Sequence, residues 1–393
     1  MKHRFTFLTL ILISTLNSFG QTNDLTGSLN NYSFDLYREI KTGNDNLFVS
    51  PLSTYSALLI AYEGAGSETK KEFDKVLYIG NSDSLGNFRN FFTSLTTKLD
   101  NSNYLNIANA IWIQDNYKIE SNYINNVKNK YLAEVKSVDF LNKQIASAVI
   151  NNWVSHKTND LIKEIVSSND INQDTRLIIS NAIYFVGKWA NEFDKRLTKT
   201  DYFYSITKIK AQVNFMNQTE DLRYFENDDF QFVSIPYEGF DKSFCIILPK
   251  KTYGISDIET VMNNELLESI LKNSNNLMVK LSLPKFKLET SYSLIEPLKR
   301  LGLKTAFTPN ADFSYITREE PLMINEIKHK AYIEIDEKKT VAAATTASLM
   351  VSLSMGGPLP KPKIFKADHP FIFMIVDNKT KGIIFMGKFV RPE

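Results

Sequence analysis

The residues best suited to chemistry in this chain are its few histidines and its single cysteine. His156, His329 and His369 are the only histidines beyond the first twenty residues, and no two of these residues have the spacing of metal ligands. The Gly-x-Ser-x-Gly, His-Glu-x-x-His and glycine-rich phosphate-loop patterns do not occur. We therefore predict a protein that is not an enzyme and needs neither metal nor cofactor. A hydrolase that uses His329 or His369 is the weakest of our hypotheses.

A second unusual feature is the uncharged segment 340–360, which has charged residues on both sides. Its length would suit a membrane helix, but its many β-branched and hydroxyl-bearing residues disfavour one. A buried strand is usually shorter, at about five or six residues. We interpret the segment as a long exposed loop whose small side chains, such as those of Ala342, Ala343 and Ala344, would also fit into a β-sheet. Such a segment can have two states and is prone to edge pairing.

The first twenty residues have the layout of a secretory signal peptide, with a basic tip at residues 1–4 and a short apolar run after it. The run is shorter than the roughly 20 residues that a membrane span requires. Cleavage after Gly20 would remove Lys2 and Arg4 from the 46 basic residues and leave as many as the 44 acidic ones. We expect a secreted protein, extracellular or periplasmic, with no nucleic-acid or membrane partner.

Helical patterns dominate the first half of the chain and strand patterns the second. The pattern predicts helices at 29–40, 53–63, 67–78 and 144–158, and strands at 106–114, 176–185, 232–237 and 278–283. In the helix at 144–158 we expect one buried face, formed by Ala146, Val149, Ile150, Trp153 and Val154. This order predicts an α+β architecture. No linker divides the chain, so we predict a single domain over 21–393, without a disulfide because Cys245 has no partner.

Seven motifs in order resemble the serpin family and span nearly all of the chain beyond the leader. The most specific is similar to the family's central-strand signature and reads Ser-Asn-Ala-Ile-Tyr-Phe-Val-Gly-Lys-Trp at 180–189. The others are Asn-Leu-Phe-Val-Ser-Pro-Leu-Ser at 46–53, Leu-Pro-Lys-Phe-Lys at 283–287, Leu-Gly-Leu at 301–303, Ala-Asp-Phe-Ser at 311–314, His-Lys-Ala at 329–331 and Ala-Asp-His-Pro-Phe-Ile-Phe at 367–373. Their order makes a chance match implausible.

The resemblance implies a monomeric serpin fold of about nine helices and three β-sheets, with an exposed reactive-centre loop at about 338–360. It further implies a suicide inhibitor of serine proteases: the protease cleaves the loop, which inserts into a sheet and traps the covalent acyl-enzyme. Counting from Glu337 predicts cleavage between Leu353 and Ser354, with Met350 and Met355 as alternatives. A leucine suits chymotrypsin-like or elastase-like targets. Loop–sheet polymerisation is a hazard of the same mechanism.

The resemblance also assigns roles to individual residues. The shutter is a buried polar cluster where the strands must part, and the matching residues are Ser50, Ser53, Asn181 and His329. Ordinary core polar residues would give the same pattern. The breach is where insertion begins, and its matches are Trp189, Lys285 and Glu337, the last two of which could equally form a surface ion pair. The loop hinge consists of Lys339, Thr340, Val341, Ala342, Ala343, Ala344 and Thr345.

Two hinge residues depart from the inhibitory pattern of the family. Lys339 stands where inhibitory serpins usually have glycine, and Val341 where they usually have an acidic residue. Lysine lacks the conformational freedom of glycine, so insertion is expected to be slower, which favours cleavage without trapping. Our main hypothesis is an inhibitor of serine proteases. The alternatives are a non-inhibitory serpin that acts as a carrier or chaperone-like protein, and an inhibitor of papain-like cysteine proteases.

Overall fold

The computed structural model describes residues 25–80, 88–96, 104–337 and 361–392. The predicted signal peptide, residues 1–20, and the segment 338–360 lie outside these ranges. None of the helices within them combines the length and the apolar character that crossing a bilayer requires.

Nine α-helices occur in the described ranges. They are α1 (Leu25–Ile40), α2 (Pro51–Gly64), α3 (Ser67–Val76), α4 (Phe88–Thr96), α5 (Ser121–Tyr131), α6 (Lys143–Lys157), α7 (Ile255–Val261), α8 (Asn264–Asn273) and α9 (Ile295–Leu301). Helix α2 begins two residues before its predicted start. The Ser50 hydroxyl caps it by accepting a hydrogen bond from the Ser53 N–H, and Pro51 fits the first turn because its nitrogen needs no partner there. All of α2 except Glu63 is buried, so it is the central helix of the molecule.

Fourteen β-strands accompany these helices in the described ranges. They are β1 (Leu47–Val49), β2 (Tyr104–Gln114), β3 (Glu134–Val138), β4 (Leu177–Val186), β5 (Lys199–Tyr204), β6 (Lys210–Glu226), β7 (Phe230–Pro236), β8 (Lys242–Pro249), β9 (Asn275–Pro284), β10 (Phe286–Ser293), β11 (Glu326–Ile335), β12 (Lys363–Lys366), β13 (Phe371–Asp377) and β14 (Ile383–Phe389).

Five of the strands form one sheet in the order β10, β11, β4, β2, β3. Strand β4 lies at its centre, is buried along nearly its whole length and is apolar except at Ser180 and Asn181, which is typical of a strand covered on both faces. Ile179 and Ile183 pack in the main core together with residues of α2, whereas Ile178 and Ala182 pack in a smaller core under α6. Alternation along β4 thus divides its side chains between two layers.

The remaining nine strands form a second hydrogen-bonded sheet in which the long strand β6 joins two parts. One end of β6 pairs with β5, its middle pairs with β9, and its other end pairs with β7. One part is therefore β5, β6, β9 and β12, and the other runs from β7 through β8, β13 and β14 to β1. Together with the five-stranded sheet these parts make three sheets, and the predicted α+β fold is confirmed.

The predicted buried face of the helix at 144–158 is wrong at one position. Ala146, Ile150 and Val154 are fully buried in the smaller core, and Trp153 is partly buried against it. Val149 is instead 42% exposed. The row of Ala146, Ile150 and Val154 faces the sheet with Trp153 beside it, because α6 lies on the outside of the sheet with solvent on its other side.

Candidate functional site

The centre of the five-stranded sheet contains an unusual junction, the parallel pair β4 and β11, which we call the central seam. Glu326 to Ile333 of β11 pair with Ile178 to Phe185 of β4. Outside the seam, β4 pairs with β2 and β11 pairs with β10, and both of these pairs are antiparallel. A strand placed in the seam antiparallel to both neighbours would make the centre of the sheet antiparallel throughout. Antiparallel ladders are slightly more stable per residue than parallel ones.

A row of polar side chains crosses the seam. Asn181 on β4 is in register with His329 on β11 and with Asn109 on β2. His329 and Asn181 are fully buried, and Asn109 is nearly so. The Asn181 side chain makes hydrogen bonds to both neighbours, through its oxygen to the His329 ring and through its amide group to the Asn109 oxygen. The side-chain contacts therefore join three adjacent strands at one level.

The start of α2 supplies the other half of this polar cluster. The Asn181 amide group donates to the Ser53 hydroxyl at 2.6 Å and to the Ser53 carbonyl at 3.1 Å. The Ser50 N–H donates to His329 Nε2 at 3.2 Å, and the Ser50 hydroxyl donates to the Ile384 carbonyl at 2.7 Å. The structure thus brings together all four residues that the resemblance assigned to the shutter.

The hydrogen bonds define the protonation state of His329. Nε2 accepts from the Ser50 N–H, so Nδ1 carries the proton and donates it to the Asn181 oxygen. Burial lowers the pKa of His329 to about 3, and the hydrogen bond with Asn181 offsets this only in part. The ring is therefore neutral at physiological pH. Parting the strands at the seam would break the bond between His329 and Asn181, and each buried polar group left unsatisfied costs about 1–3 kcal/mol.

A second cluster lies where β11 ends and the chain leaves the sheet. Glu337 is 3% exposed, and its carboxylate accepts hydrogen bonds from Lys285 Nζ at 2.5 Å and from Thr198 Oγ1 at 2.7 Å. Burial alone would raise the pKa of Glu337, but the hydrogen bonds from Lys285 and Thr198 outweigh burial and hold the pKa below its usual value. The pair is more buried than a surface ion pair, because only Lys285, whose side chain is 36% exposed, has access to water.

Trp189 completes the second cluster. Its indole N–H donates to the Asp336 carbonyl at 2.8 Å, and its ring stacks on Tyr237 with the centroids 4.8 Å apart. Gly187 permits this packing, since a Cβ there would lie 2.5 Å from the rings of Phe185 and Tyr237. Trp189, Lys285 and Glu337, the three residues assigned to the breach, thus surround one short stretch of chain.

Each cluster has one member that the sequence did not predict. Asn109 lies in the predicted strand 106–114, and a polar residue on the buried face of a strand is itself a signal of a polar contact. Thr198 lies in no predicted element. The predicted reactive bond between Leu353 and Ser354, its alternatives and the hinge residues 339–345 lie outside the described residues.

The histidines are not arranged for hydrolysis. His329 uses both ring nitrogens in the polar cluster, and the group donating to it from Ser50 is the backbone N–H. His369 pairs through Nδ1 with Asp368, but its Nε2 lies 2.7 Å from the Pro249 carbonyl oxygen and not against a hydroxyl. Over the described ranges, no group of three or more His, Cys, Asp or Glu residues is placed to hold a metal ion.

Comparison with known proteins gives a consistent result. A family model described as "Serpin (serine protease inhibitor)" matches residues 27–392. An uncharacterized serpin-like protein of Thermococcus kodakarensis is 40% identical over 379 residues, which are 95% of this chain and 87% of the relative. The structure of the thermophilic serpin tengpin in its native state is similar with a TM-score of 0.83 and 29% identity, covering 93% of this chain and 94% of tengpin. Serpin48 of the insect Tenebrio molitor, described as highly specific, has a TM-score of 0.82 at 28% identity, covering 95% of this chain and all of Serpin48.

The buried histidine predicts a pH dependence of stability. His329 has a pKa of about 3 when folded and about 6.5 when unfolded, so the unfolded state binds the extra proton between these values. The contribution of His329 is therefore complete above pH 6.5 and is lost as the pH falls from there towards 3. For one proton, the slope is up to about 1.4 kcal/mol per pH unit.

The measurement is the urea midpoint of unfolding at several pH values between 7 and 4. The His329→Gln variant should be less stable than the parent at pH 7 and should lose less stability on acidification. His156→Gln, which changes an exposed residue of α6, is the matched control and should keep the parent's dependence. Parallel curves for His329→Gln and the parent would refute the assignment of a neutral buried ring.

The Glu337 pair predicts an asymmetry between its two members. Lys285→Met leaves a buried carboxylate without its cation and should cost about 3 kcal/mol. Glu337→Gln leaves a lysine that can turn to water and should cost only about 1 kcal/mol. The double variant should cost less than the sum of the two, because both changes remove the same interaction. Urea unfolding measures all three, with the exposed pair of Glu68 and Lys71 as a control that should change by less than about 0.5 kcal/mol. Equal effects at Lys285 and Glu337 would contradict the burial argument.

Proposed function

The chain belongs to the serpin family, and from this premise we propose that it inhibits serine proteases as a suicide substrate. The observation that carries the proposal is the central seam. The seam is a parallel junction at the middle of the sheet. One of its two strands, β11, ends at Ile335, and the segment that contains the proposed bait begins directly after Glu337.

The connectivity supports strand insertion at this seam. Strand β11 ends at Ile335, and Glu337 is held at the same end of the sheet by Lys285 and Thr198. A segment that continues from Glu337 and turns back beside β11 would run antiparallel to both β11 and β4. Each inserted residue would then add ladder hydrogen bonds on both sides. The polar cluster of Asn181 and His329 would have to open to admit the segment, and it therefore resists insertion in the intact protein.

The composition of the segment supports its entry into a sheet. Residues 340–360 contain no charge, and the side chains that would enter first, Thr340, Ala342 and Ala344, are small. Burying a charged group there would be unfavourable. Leu353 is the sixteenth residue after Glu337, and an extended strand of that length would span roughly 50 Å. A protease attached to Leu353 would be carried to the opposite end of the sheet.

The proposed chemistry uses the catalytic groups of the protease alone. Its active-site serine attacks the Leu353 carbonyl and forms an ester, while the bond to Ser354 breaks and the Ser354 amine leaves with a proton from the protease. Insertion of the segment up to Leu353 then pulls on this ester and distorts the protease before water can hydrolyse it. The inhibitor contributes the bait and the released strain.

The residue before the proposed bond defines the class of target. Leu353 suits a protease with an apolar primary pocket, such as a chymotrypsin-like or elastase-like enzyme, and cleavage after Met350 or Met355 would suit the same class. A papain-like cysteine protease is an alternative target. We further propose that residues 1–20 direct export to the extracellular space or periplasm and that the working form is a monomer. Insertion of the segment of one copy into the seam of another would produce polymers.

A non-inhibitory serpin is the second candidate, and Lys339 is the observation that favours it. If the hinge turns too slowly, the acyl-enzyme is hydrolysed before insertion and the chain is only a substrate. Such a protein would keep the fold and could serve as a carrier or a chaperone-like protein.

The proposed inhibition predicts a covalent complex. The protein is incubated with chymotrypsin and, separately, with pancreatic elastase, and then boiled in detergent. We expect a band at the summed mass of the two chains and a released C-terminal fragment that begins at Ser354 by mass spectrometry. Cleavage by every protease tested, without a complex and without a rise in thermal stability of the cleaved chain, would refute the proposal that the protein is an inhibitor.

The hinge predicts a gain of function on substitution. Lys339→Gly should speed insertion and so lower the number of inhibitor molecules consumed per protease inactivated. We expect the ratio of trapping to hydrolysis to rise about two- to fivefold, which corresponds to a barrier to insertion lower by about 0.5–1 kcal/mol. Lys338→Gly is the matched control, because it removes the same charge one residue outside the hinge. Titration of protease activity with each variant measures the number of inhibitor molecules consumed per protease inactivated. An equal effect of both variants would argue against Lys339 as the residue that limits the rate of insertion.

A further inference from the structure

The described residues on either side of the proposed bait segment each lie close in sequence or contact to an edge strand of the part formed by β5, β6, β9 and β12. At the first end, Glu337 is hydrogen-bonded to Thr198, which directly precedes β5. At the second end, Lys361 is two residues before β12. Strand β12 lies beside β9, and β9 lies beside β6. A protein that binds the segment between Glu337 and Lys361 would therefore come close to the exposed face of β5, β6, β9 and β12, which we call the outer face.

The outer face contains a shallow basic depression of about 250 Å³. Lys199, Lys280 and Lys366 contribute to its lining, with Asp201 as the one acidic residue there. Phe215 also lines the depression, and the ring lies 5.9 Å from Lys366 Nζ. Asp368 adds a second carboxylate beside Lys366, so three cations against two anions leave this surface with a small net positive charge, although the mature chain as a whole is expected to be neutral.

Two of the three lysines are available to a partner. Lys366 is engaged by Asp201 at 2.9 Å and by Asp368 at 3.2 Å. Lys199 and Lys280 are exposed, and neither forms an ion pair with any part of the chain that the structure describes. Ile364, in register with Lys280, is 68% exposed and adds an apolar side chain at the edge of the same depression. Exposed apolar surface rimmed by charge is typical of an interaction site.

We propose that this outer face, through Lys199, Lys280 and Ile364, is a second contact surface for the target protease and selects proteases with acidic groups beside their active site. The proposal rests on the inhibitory function proposed above. The segment 340–360 carries no charge, so it has no means of steering a charged partner. Electrostatic attraction between inhibitor and protease must then come from charges outside the segment, and those of the outer face are close to its ends.

This surface would act on the rate of encounter. Charges at the rim of an interface change the association rate and its salt dependence, and they have little effect on the chemistry that follows. Attraction of this kind raises association rates by about 10- to 1,000-fold and weakens as ionic strength rises.

The test uses the full-length protein and the protease that forms the detergent-stable complex in the experiment above. The second-order rate constant of inactivation is measured at about 50 and about 500 mM salt. Lys199→Glu/Lys280→Glu is compared with Lys128→Glu/Lys143→Glu, which makes the same change in net charge at exposed sites on α5 and α6. A capped synthetic peptide of residues 340–360, cleaved by the same protease, reports on the bait alone.

We expect the Lys199→Glu/Lys280→Glu variant to react about tenfold more slowly at low salt and to approach the parent at high salt. Its ratio of trapping to hydrolysis should be unchanged. The Lys128→Glu/Lys143→Glu control should match the parent, and cleavage of the peptide should not depend on salt. Ile364→Ser should slow inactivation at both salt concentrations, because its contact is apolar.

Three results would overturn the proposal. Equal inactivation rates for Lys199→Glu/Lys280→Glu and the control pair would refute the proposed contact surface. They would leave the proposed inhibitory function standing. If cleavage of the peptide depended on salt as strongly as inactivation by the full protein does, the salt effect would come from the protease and not from the outer face. Failure of the parent protein to form any complex would instead refute the inhibitory function, on which this surface depends.

Discussion

The structure depends on the hydrogen bond between Asn181 and His329 across the central seam. It joins two parallel strands at the middle of the sheet, and it is completed on one side by Asn109 and on the other by the capped start of α2 at Ser50 and Ser53. Because all these groups are buried, none can exchange its partner for water without opening the fold. The seam is therefore closed by polar contacts that hold only while the strands stay together.

The end of β11 is held by a different kind of contact. There the chain is secured by the carboxylate of Glu337, which Lys285 and Thr198 stabilise in its ionised form, and by the bond from Trp189 to the Asp336 carbonyl. Lys285 is partly exposed to water, whereas the polar cluster at the seam is completely enclosed. The enclosed cluster thus holds β4 and β11 together at the centre of the sheet. The more accessible cluster holds the chain at the end of β11. A segment that enters the sheet would meet the accessible cluster first.

Much of the fold could be predicted from the chain alone, because its signals are local. The cap formed by Ser50 and Pro51, the largely apolar run of β4 and the order of helices and strands each follow from neighbouring residues. The exposed position of Val149 could not be predicted, because helical spacing marks an apolar side without saying how wide the covered strip is. Nor could Asn109 be assigned, since its partner Asn181 lies on a different strand, and a polar residue in a strand has no meaning until its neighbours are known.

By itself, the sequence determined the family, the architecture and the identity of the residues that face the seam. It also determined that the segment 340–360 carries no charge and that Lys339 stands at the position that the family resemblance assigns to the hinge. Only the tertiary structure decided that β4 and β11 run parallel as neighbours and that Glu337 is buried against Lys285. It also showed that Glu337 is bonded to Thr198 beside β5 and that Lys199, Lys280 and Lys366 line one depression on β5, β9 and β12. The physical reason is that strand pairing and burial join residues far apart along the chain, and such contacts leave no pattern in either strand alone.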